Sequence, residues 1–284
     1  MKVFVNRLSM VLTALAPVML GAQAAPPAAP PAAPPAVLTI YRETVKPGKG
    51  VAHDQMEEAW ARAVEAAKPP NGFLATTAMS GPPENWYLSL YDNWAAFEAA
   101  NKANAASPAL TAIQKRFSAM ETDLLNDGRA MILTGRTDLS YGQADLAASR
   151  YFTVQRITVR PGHNAEWEEN RKMIKVAHEK AGLGDSYSVW QAASGAPAGT
   201  YFVFAARTSL AELDGGMHNT PAYLAALGGA DGQKKMADNT TAAVVSSQTD
   251  LFGFAPMQSV PPPEWVTADP GYWKKKAPAA PRAP

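Results

Sequence analysis

The chain has 284 residues, 47% of them hydrophobic, and a formal net charge of +1. This balance gives no strong positive field, so nucleic acid is not an expected partner. Cysteine is absent, which excludes disulfide bonds and cysteine-linked lipid anchors.

Residues 1–24 have the pattern of a secretory signal peptide. Lys2 and Arg7 give a positive start, residues 10–20 form a short apolar stretch, and Ala-Gln-Ala ending at Ala24 fits a cleavage site. The apolar stretch is shorter than the roughly 20 residues that a membrane-spanning helix needs. We therefore expect cleavage near Ala24, a periplasmic or secreted protein, and no integral membrane segment after cleavage.

Both ends of the mature chain are rich in proline. Residues 25–36 predict an extended Pro/Ala linker, and residues 256–284 predict a basic, Pro-rich tail that is largely disordered. Trp265, Tyr272 and Trp273 interrupt the tail and could anchor parts of it on the protein body. An alternative is that the tail contacts the cell envelope or a partner.

The central part of the chain contains an internal repeat. Residues 42–48 (Arg-Glu-Thr-Val-Lys-Pro-Gly) return as residues 156–162 (Arg-Ile-Thr-Val-Arg-Pro-Gly), a shift of 156 − 42 = 114 residues. The same shift matches Tyr87-Leu88 with Tyr201-Phe202. This order predicts a tandem duplication, with one unit over residues 37–141 and a second over residues 150–254.

Each unit predicts the same series of elements. Alternating residues such as Leu38, Ile40 and Arg42 predict a first strand, Pro-Gly ends it, and apolar residues at helical spacing follow. Two strands, a second helical region and a final strand complete the unit. The predicted strands are 38–43, 73–79, 86–91 and 131–134 in the first unit, and 152–157, 186–192, 200–206 and 243–247 in the second. The resulting fold class is α+β, with two ferredoxin-like β-α-β-β-α-β units.

Two further motifs give this order a family resemblance. Residues 94–100 (Trp-Ala-Ala-Phe-Glu-Ala-Ala) precede Ser107-Pro108, and residues 218–221 (His-Asn-Thr-Pro) form a related turn. Over residues 37–254 the chain resembles the dimeric α/β-barrel superfamily, which includes antibiotic-biosynthesis-type monooxygenases, NIPSNAP-like proteins and chlorite-dismutase-like haem proteins. The resemblance implies that the two units form a barrel-type pseudo-dimer. Whether they pair within one chain or through a homodimer stays open.

Arg42 and Arg156 occupy equivalent places on the first strand of each unit, among apolar neighbours. A buried arginine must be paired, because an unpaired buried charge costs several kcal/mol. One explanation is an ion pair with an acidic residue on a neighbouring strand. The other is that both arginines lie near the rim of a barrel cavity and bind an anionic ligand. Trp86 is a candidate for lining such a cavity, where it could contact a flat apolar ligand.

His178 and His218 are the histidines considered for a site. His178 continues the apolar stripe of a helix, where it could be a neutral core histidine bonded to a backbone carbonyl. The resemblance to chlorite-dismutase-like proteins implies instead that His178 could be a haem ligand. His218 lies in a predicted turn. His53 and His163 have no evident partners in the sequence, and the spacing of the histidines predicts no zinc or iron site.

Three functions are compatible with these features. The first is an exported protein that binds a small apolar or anionic molecule in an apolar barrel cavity, without a cofactor. The second, implied by the resemblance, is a cofactor-free monooxygenase or a haem protein. The third is an interaction module of the cell envelope.

Overall fold

The computed structural model describes residues 34–214 and 220–276. The predicted signal peptide, most of the Pro/Ala linker, His218 and the last residues of the tail lie outside these ranges. The strands are β1 (Val37–Val45), β2 (Leu74–Ala78), β3 (Glu84–Tyr91), β4 (Leu125–Gly135), β5 (Tyr151–Val159), β6 (Ser188–Ser194), β7 (Thr200–Arg207) and β8 (Val244–Phe254). The helices are α1 (Gly50–Ala66), α2 (Trp94–Ala106), α3 (Pro108–Leu124), α4 (Asn164–Ala181), α5 (Pro221–Ala226), α6 (Gly229–Ala243), α7 (Pro263–Ala268) and α8 (Pro270–Trp273).

The eight strands form a closed antiparallel barrel in the order β1-β3-β2-β8-β5-β7-β6-β4. The first half contributes β4-β1-β3-β2 and the second contributes β8-β5-β7-β6, so both halves have the same ferredoxin-like order. The pairs β2–β8 and β4–β6 join the halves. The barrel therefore closes within one chain, and the predicted α+β class is confirmed.

The strand register corrects one match made from the sequence. Arg42 pairs with Trp86 in the first half, and Arg156 pairs with Phe202 in the second. Tyr201 therefore corresponds to Asn85 in the structure, whereas the repeat in the sequence aligned Tyr201 with Tyr87. The reason is the second hairpin: Leu74 pairs with Leu88, but Ser188 pairs with Phe204, two residues further along the chain.

Apolar side chains on alternate strand positions fill the barrel interior. Leu38 and Ile40 of β1 meet Phe152 and Val154 of β5 in this core, together with Trp86. The opposite strand faces are covered by helices, with α1 and α3 on the first half and α4, α5 and α6 on the second. The position of a residue along a strand thus decides whether it lies inside the barrel or under a helix.

The helix boundaries follow local signals in the sequence. Asn93 caps α2 through a hydrogen bond from the Ala96 amide, and Ser107 caps α3 ahead of Pro108. Gly182 ends α4 in the left-handed conformation, with φ of 63°. None of the helices in residues 34–214 and 220–276 combines the length and apolar character that a membrane crossing requires.

The segment after β8 packs against the barrel. Trp273 is 1% exposed, belongs to the barrel core, and donates a hydrogen bond from Nε1 to the Ala147 carbonyl at 2.7 Å. Tyr272 donates to the Phe254 carbonyl, and Asp269 forms an ion pair with Arg150. The prediction of a largely disordered tail is therefore wrong for residues 256–276, because its aromatic anchors bury enough surface to hold them.

Candidate functional site

One end of the barrel contains a cavity of about 580 Å³. It lies where β1 and β5 begin, and its walls are mainly apolar side chains from both halves of the chain. The residues that form its inner wall are Leu38, Leu74, Leu88, Leu90, Phe152, Trp190, Phe204, Ala206 and Phe254. Its volume lies within the range typical of small-molecule sites.

The mouth of the cavity is polar. Tyr141 and Ser140 come from the segment between β4 and β5, and Lys175 and Glu179 come from α4. The Lys175 ammonium donates to the backbone carbonyls of Thr137 and Asp138, at 3.2 and 3.4 Å. The cavity thus has an apolar interior and a cation at its entrance.

Arg136 also lies at this entrance, within a network of carboxylates. Its guanidinium donates to Asp138 at 2.8–2.9 Å and to Glu168 at 2.6 Å. These hydrogen bonds lower the pKa of both carboxyl groups. Arg136 is thereby committed to structural pairs that connect β4 with α4.

The two predicted arginines form ion pairs inside the barrel. Arg42 is paired with Glu84 through two hydrogen bonds, and Arg156 is paired with Asp250 at 2.8 Å. Their guanidinium carbons lie 5.2 and 5.8 Å from the centre of the Trp86 ring, so both arginines form cation–π contacts with this ring. Trp86 itself donates from Nε1 to Glu84 at 2.7 Å.

The expected place of these residues at the cavity is wrong. Arg42, Arg156 and Trp86 are all described, and none of them lines the cavity. Arg42 and Arg156 lie further along their strands, beyond Ile40 and Val154 and away from the cavity, and Trp86 is fully buried against Phe252. The aromatic wall of the cavity is supplied by Trp190 in their place.

His178 does not fit a haem ligand. Its Nδ1 lies 2.8 Å from the Ile174 carbonyl, to which it donates, and its Nε2 lies 3.6 Å from Asp185. The imidazole is 5% exposed and packs against Tyr141, Tyr187 and Tyr223, with ring centres 5.1–5.3 Å apart. His178 is not among the residues that line the cavity, and its Nε2 faces Asp185. The core-histidine explanation describes the observed contacts.

A second polar cluster, which the sequence did not predict, lies outside the barrel under α1. His53 is fully buried, with Nε2 2.8 Å from Glu43 Oε2 and Nδ1 3.1 Å from the Asn85 amide. Glu57 Oε1 lies 4.0 Å from the same Nε2. Glu43 and Glu57 are each 2% exposed. The expectation that His53 has no coherent partners is wrong.

The buried groups perturb one another strongly. Burial, followed by the charge of Glu43, raises the pKa of Glu57 to about 8. Burial opposes the charged form of His53, but its hydrogen bond to Glu43 and the nearby carboxylates outweigh this effect and raise its pKa. Burial and both carboxylates also raise the pKa of Tyr87 well above 10.

Two signals for this cluster were present in the sequence. His53 and Glu57 are four residues apart in a predicted helix, so they share one face. Glu43 alternates with Leu38, Ile40 and Arg42, which places it on the strand face that the helices cover. Only the packing of α1 on β1 shows that these two faces meet.

No protein-family description and no curated protein matches the chain. Among solved structures, a provisionally named monooxygenase from Fusobacterium nucleatum has 13% identity and a TM-score of 0.49, with 78% of this chain and 93% of that chain covered. An anthrone oxidase-like protein has 11% identity and a TM-score of 0.49, with coverages of 78% and 91%.

A chlorite dismutase variant from Candidatus Nitrospira defluvii is also similar, with 11% identity, a TM-score of 0.45, and 79% and 92% of the two chains covered. Monooxygenase-like and chlorite-dismutase-like structures are thus among those to which this chain is distantly similar. Similarity at this level carries no activity from those proteins to this chain.

Proposed function

We propose that this protein binds a small, mainly apolar molecule in the cavity of its barrel. The observation that carries the proposal is the cavity of about 580 Å³ with an apolar inner wall from both halves of the chain. A ligand of this kind gains roughly 25 cal/mol for each Å² of apolar surface that it removes from water. Trp190 and Phe204 on the wall favour a flat, aromatic ligand, because ring contacts add to this gain.

An anionic group on the ligand would lie at the mouth of the cavity. An ammonium has three donors, and two donors of Lys175 are directed to backbone carbonyls. The third is available for a carboxylate or sulfonate at the entrance. Arg42 and Arg156 do not serve this purpose, because their carboxylate partners already neutralise them.

Binding of 8-anilinonaphthalene-1-sulfonate tests the proposal, since this probe is flat, apolar and anionic. Ala206→Phe fills the cavity from β7, and we expect at least a tenfold loss of affinity. Ala237→Phe adds the same ring to an exposed position on α6 and should leave affinity unchanged. Equal binding by wild type and Ala206→Phe would refute the proposed site.

Lys175→Ala tests whether the anionic group and the apolar body of the ligand are bound by different parts of the site. It should weaken the sulfonated probe several-fold and leave the uncharged N-phenyl-1-naphthylamine unaffected. The same samples can be assayed for oxygen uptake with dihydroxyaromatic compounds. Uptake above a boiled control, lost in Ala206→Phe, would extend the proposal from binding to cofactor-free oxygenation.

We also propose that the barrel arose by tandem duplication and that the protein is exported. The duplication is supported by the repeated Pro-Gly segments and by the identical strand order of the halves. Export is supported by the charged start, apolar stretch and small-residue pattern of residues 1–24. Mass spectrometry of the protein from periplasm and medium tests it, with a mature N-terminus at Ala25 as the expected result.

A further inference from the structure

We propose that Glu43, His53 and Glu57 bind one divalent metal ion, with zinc as the best match, between β1 and α1. One ligand atom from each residue lies within 4.8 Å of the others, and all three side chains are buried. Metal–ligand bonds of about 2.0–2.2 Å place the ligands of a tetrahedral ion about 3.4 Å apart. The observed distances of 2.8 and 4.0 Å from His53 Nε2 lie on either side of this value.

Tyr87 supplies a second, independent observation. Its side chain is 7% exposed, and its hydroxyl forms no hydrogen bond of acceptable geometry. The carboxylates of Glu57 and Glu43 act on this hydroxyl, which places it at the cluster. The hydroxyl lies within reach of both carboxylates but forms no well-directed hydrogen bond to either, and a buried hydroxyl in this state is costly. A water bound to the ion would accept a hydrogen bond from it.

The other half of the barrel has no carboxylate or imidazole at these positions. By strand register and by the repeat, the places of Glu43, His53 and Asn85 are taken by Ile157, Trp167 and Tyr201. These three residues form part of an apolar cluster, and Trp167 stacks on Tyr201 with ring centres 4.0 Å apart.

Arg171 takes the place of Glu57 in that half, and its guanidinium lies over the Tyr187 ring. One structural position thus holds aromatic and apolar side chains with one guanidinium in one half, and two buried carboxylates with an imidazole in the other. The second half places no two like charges together here, whereas the first half buries two carboxylates side by side, which a bound cation would stabilise.

The charges of the cluster favour a divalent cation. With both carboxylates ionised and the imidazole neutral, the three groups would carry two negative charges, which a divalent ion neutralises. Without metal, protons held by Glu57 and His53 do this instead, as their raised pKa values indicate, so the ion would displace those protons. Among the described residues, no lysine or arginine forms an ion pair with Glu43 or Glu57. A nitrogen ligand with two carboxylate oxygens is a donor set that zinc accepts readily.

Asn85 completes the site as a partner of the imidazole. Metal-bound histidines usually donate their second ring N–H to an oxygen acceptor, which fixes the ring. Asn85 lies 3.1 Å from His53 Nδ1, and its amide can present oxygen or nitrogen by turning through half a rotation. Nε2 is then free of its proton and directed at the ion.

The test is zinc binding by the full-length chain. The protein is unfolded in guanidinium with a chelator, refolded with or without zinc, separated from free metal by gel filtration, and analysed for bound zinc. Refolding is used because the site is closed to solvent. We expect one zinc per chain and a higher melting temperature in the zinc-refolded sample. Substoichiometric zinc in refolded wild type would overturn the proposal.

Matched variants identify the ligands. His53→Gln and Glu57→Gln should lose the bound zinc and the thermal shift. His163→Gln removes a half-buried histidine that lies 3.2 Å from Glu166, a place where adventitious zinc could bind, and Glu58→Gln changes the next carboxylate on α1. Both controls should retain one zinc. Zinc retained by His53→Gln, or lost in His163→Gln, would overturn the assignment.

Cobalt gives a readout that does not depend on variants folding. The chain has four histidines, so the ring protons of each can be followed by NMR. Co²⁺ supplied in stoichiometric amount during refolding should shift the signals of a histidine other than His163, whose own signals are identified by their loss in His163→Gln. Shifts confined to His163 would refute the buried site.

Discussion

Replacing Trp273 by alanine tests whether the C-terminal segment is part of the core. Trp273 is 1% exposed, and its ring lies 4.9–5.9 Å from those of Tyr272, Trp265 and Phe254. Removing a buried tryptophan costs about 3–5 kcal/mol. The Ala147 carbonyl also loses its donor at 2.7 Å, which adds about 1 kcal/mol.

We therefore expect Trp273→Ala to lower the free energy of unfolding by about 4–6 kcal/mol. For a chain of this size, such a loss lowers the melting temperature by about 10 °C or more. Urea unfolding followed by circular dichroism gives the free energy, and a thermal melt gives the temperature. An unchanged urea m-value would show that the substitution lowers stability without changing the surface exposed on unfolding.

The matched control is Trp94→Ala, since Trp94 begins α2 and is 47% exposed. It should cost less than about 1 kcal/mol. Trp273→Phe should fall between the two, because it keeps most of the apolar area but loses the hydrogen bond. If Trp273→Ala were as stable as Trp94→Ala, the packing of the tail described above would be refuted.

Three further outcomes are expected. Glu84→Ala should destabilise the fold by about 3 kcal/mol because it leaves Arg42 charged and unpaired, and adding Arg42→Met should recover part of that loss in urea unfolding. In metal-free protein Glu57 has a pKa of about 8 in the fold and an ordinary value near 4.5 when unfolded. The folded state therefore holds its proton more tightly, and stability should fall as the pH rises from 4.5 to 8, by on the order of 4 kcal/mol. Glu57→Gln should flatten this dependence, whereas a slope equal to that of wild type would contradict the shift. Haemin titration should give a broad absorbance band that His178→Ala leaves unchanged, and a sharp band abolished by that substitution would contradict the contacts of His178.

The order of the strands could be predicted from the sequence because it follows from local signals. Pro47-Gly48 and Pro161-Gly162 end the first strands, and the strand and helix periodicities after them are intact in both halves. The register could not be predicted to the residue. The hairpin between β6 and β7 is two residues longer than the hairpin between β2 and β3, so β7 is displaced by two residues relative to β3. Because two residues are one full strand period, the same alternate side chains still face the barrel interior, and the periodicity of the sequence does not reveal the displacement.

The sites were harder to predict because they depend on which faces meet. The sequence placed Arg42 inside the barrel but could not show that Glu84, from another strand, neutralises it. His53 received no role from the sequence because its partners lie on other elements, Glu43 on β1 and Asn85 on β3. These residues become neighbours only when α1 packs on the sheet. Besides the helical spacing of His53 and Glu57 and the strand parity of Glu43, a comparison of His53 with Trp167, its match in the second half, indicates that this position is unusual.

The pairing of β8 has a consequence for how the chain acquires its structure. This strand is the last of the eight, yet it pairs with β2 of the first half and with β5 of the second. Contacts between segments so distant in sequence form late and slow the search for the native state. A chain that stops before Val244 has two open strand edges and an exposed apolar interior, and such edges invite association with other chains. Synthesis must therefore be nearly complete before the barrel can close, and fragments lacking the final strand should aggregate.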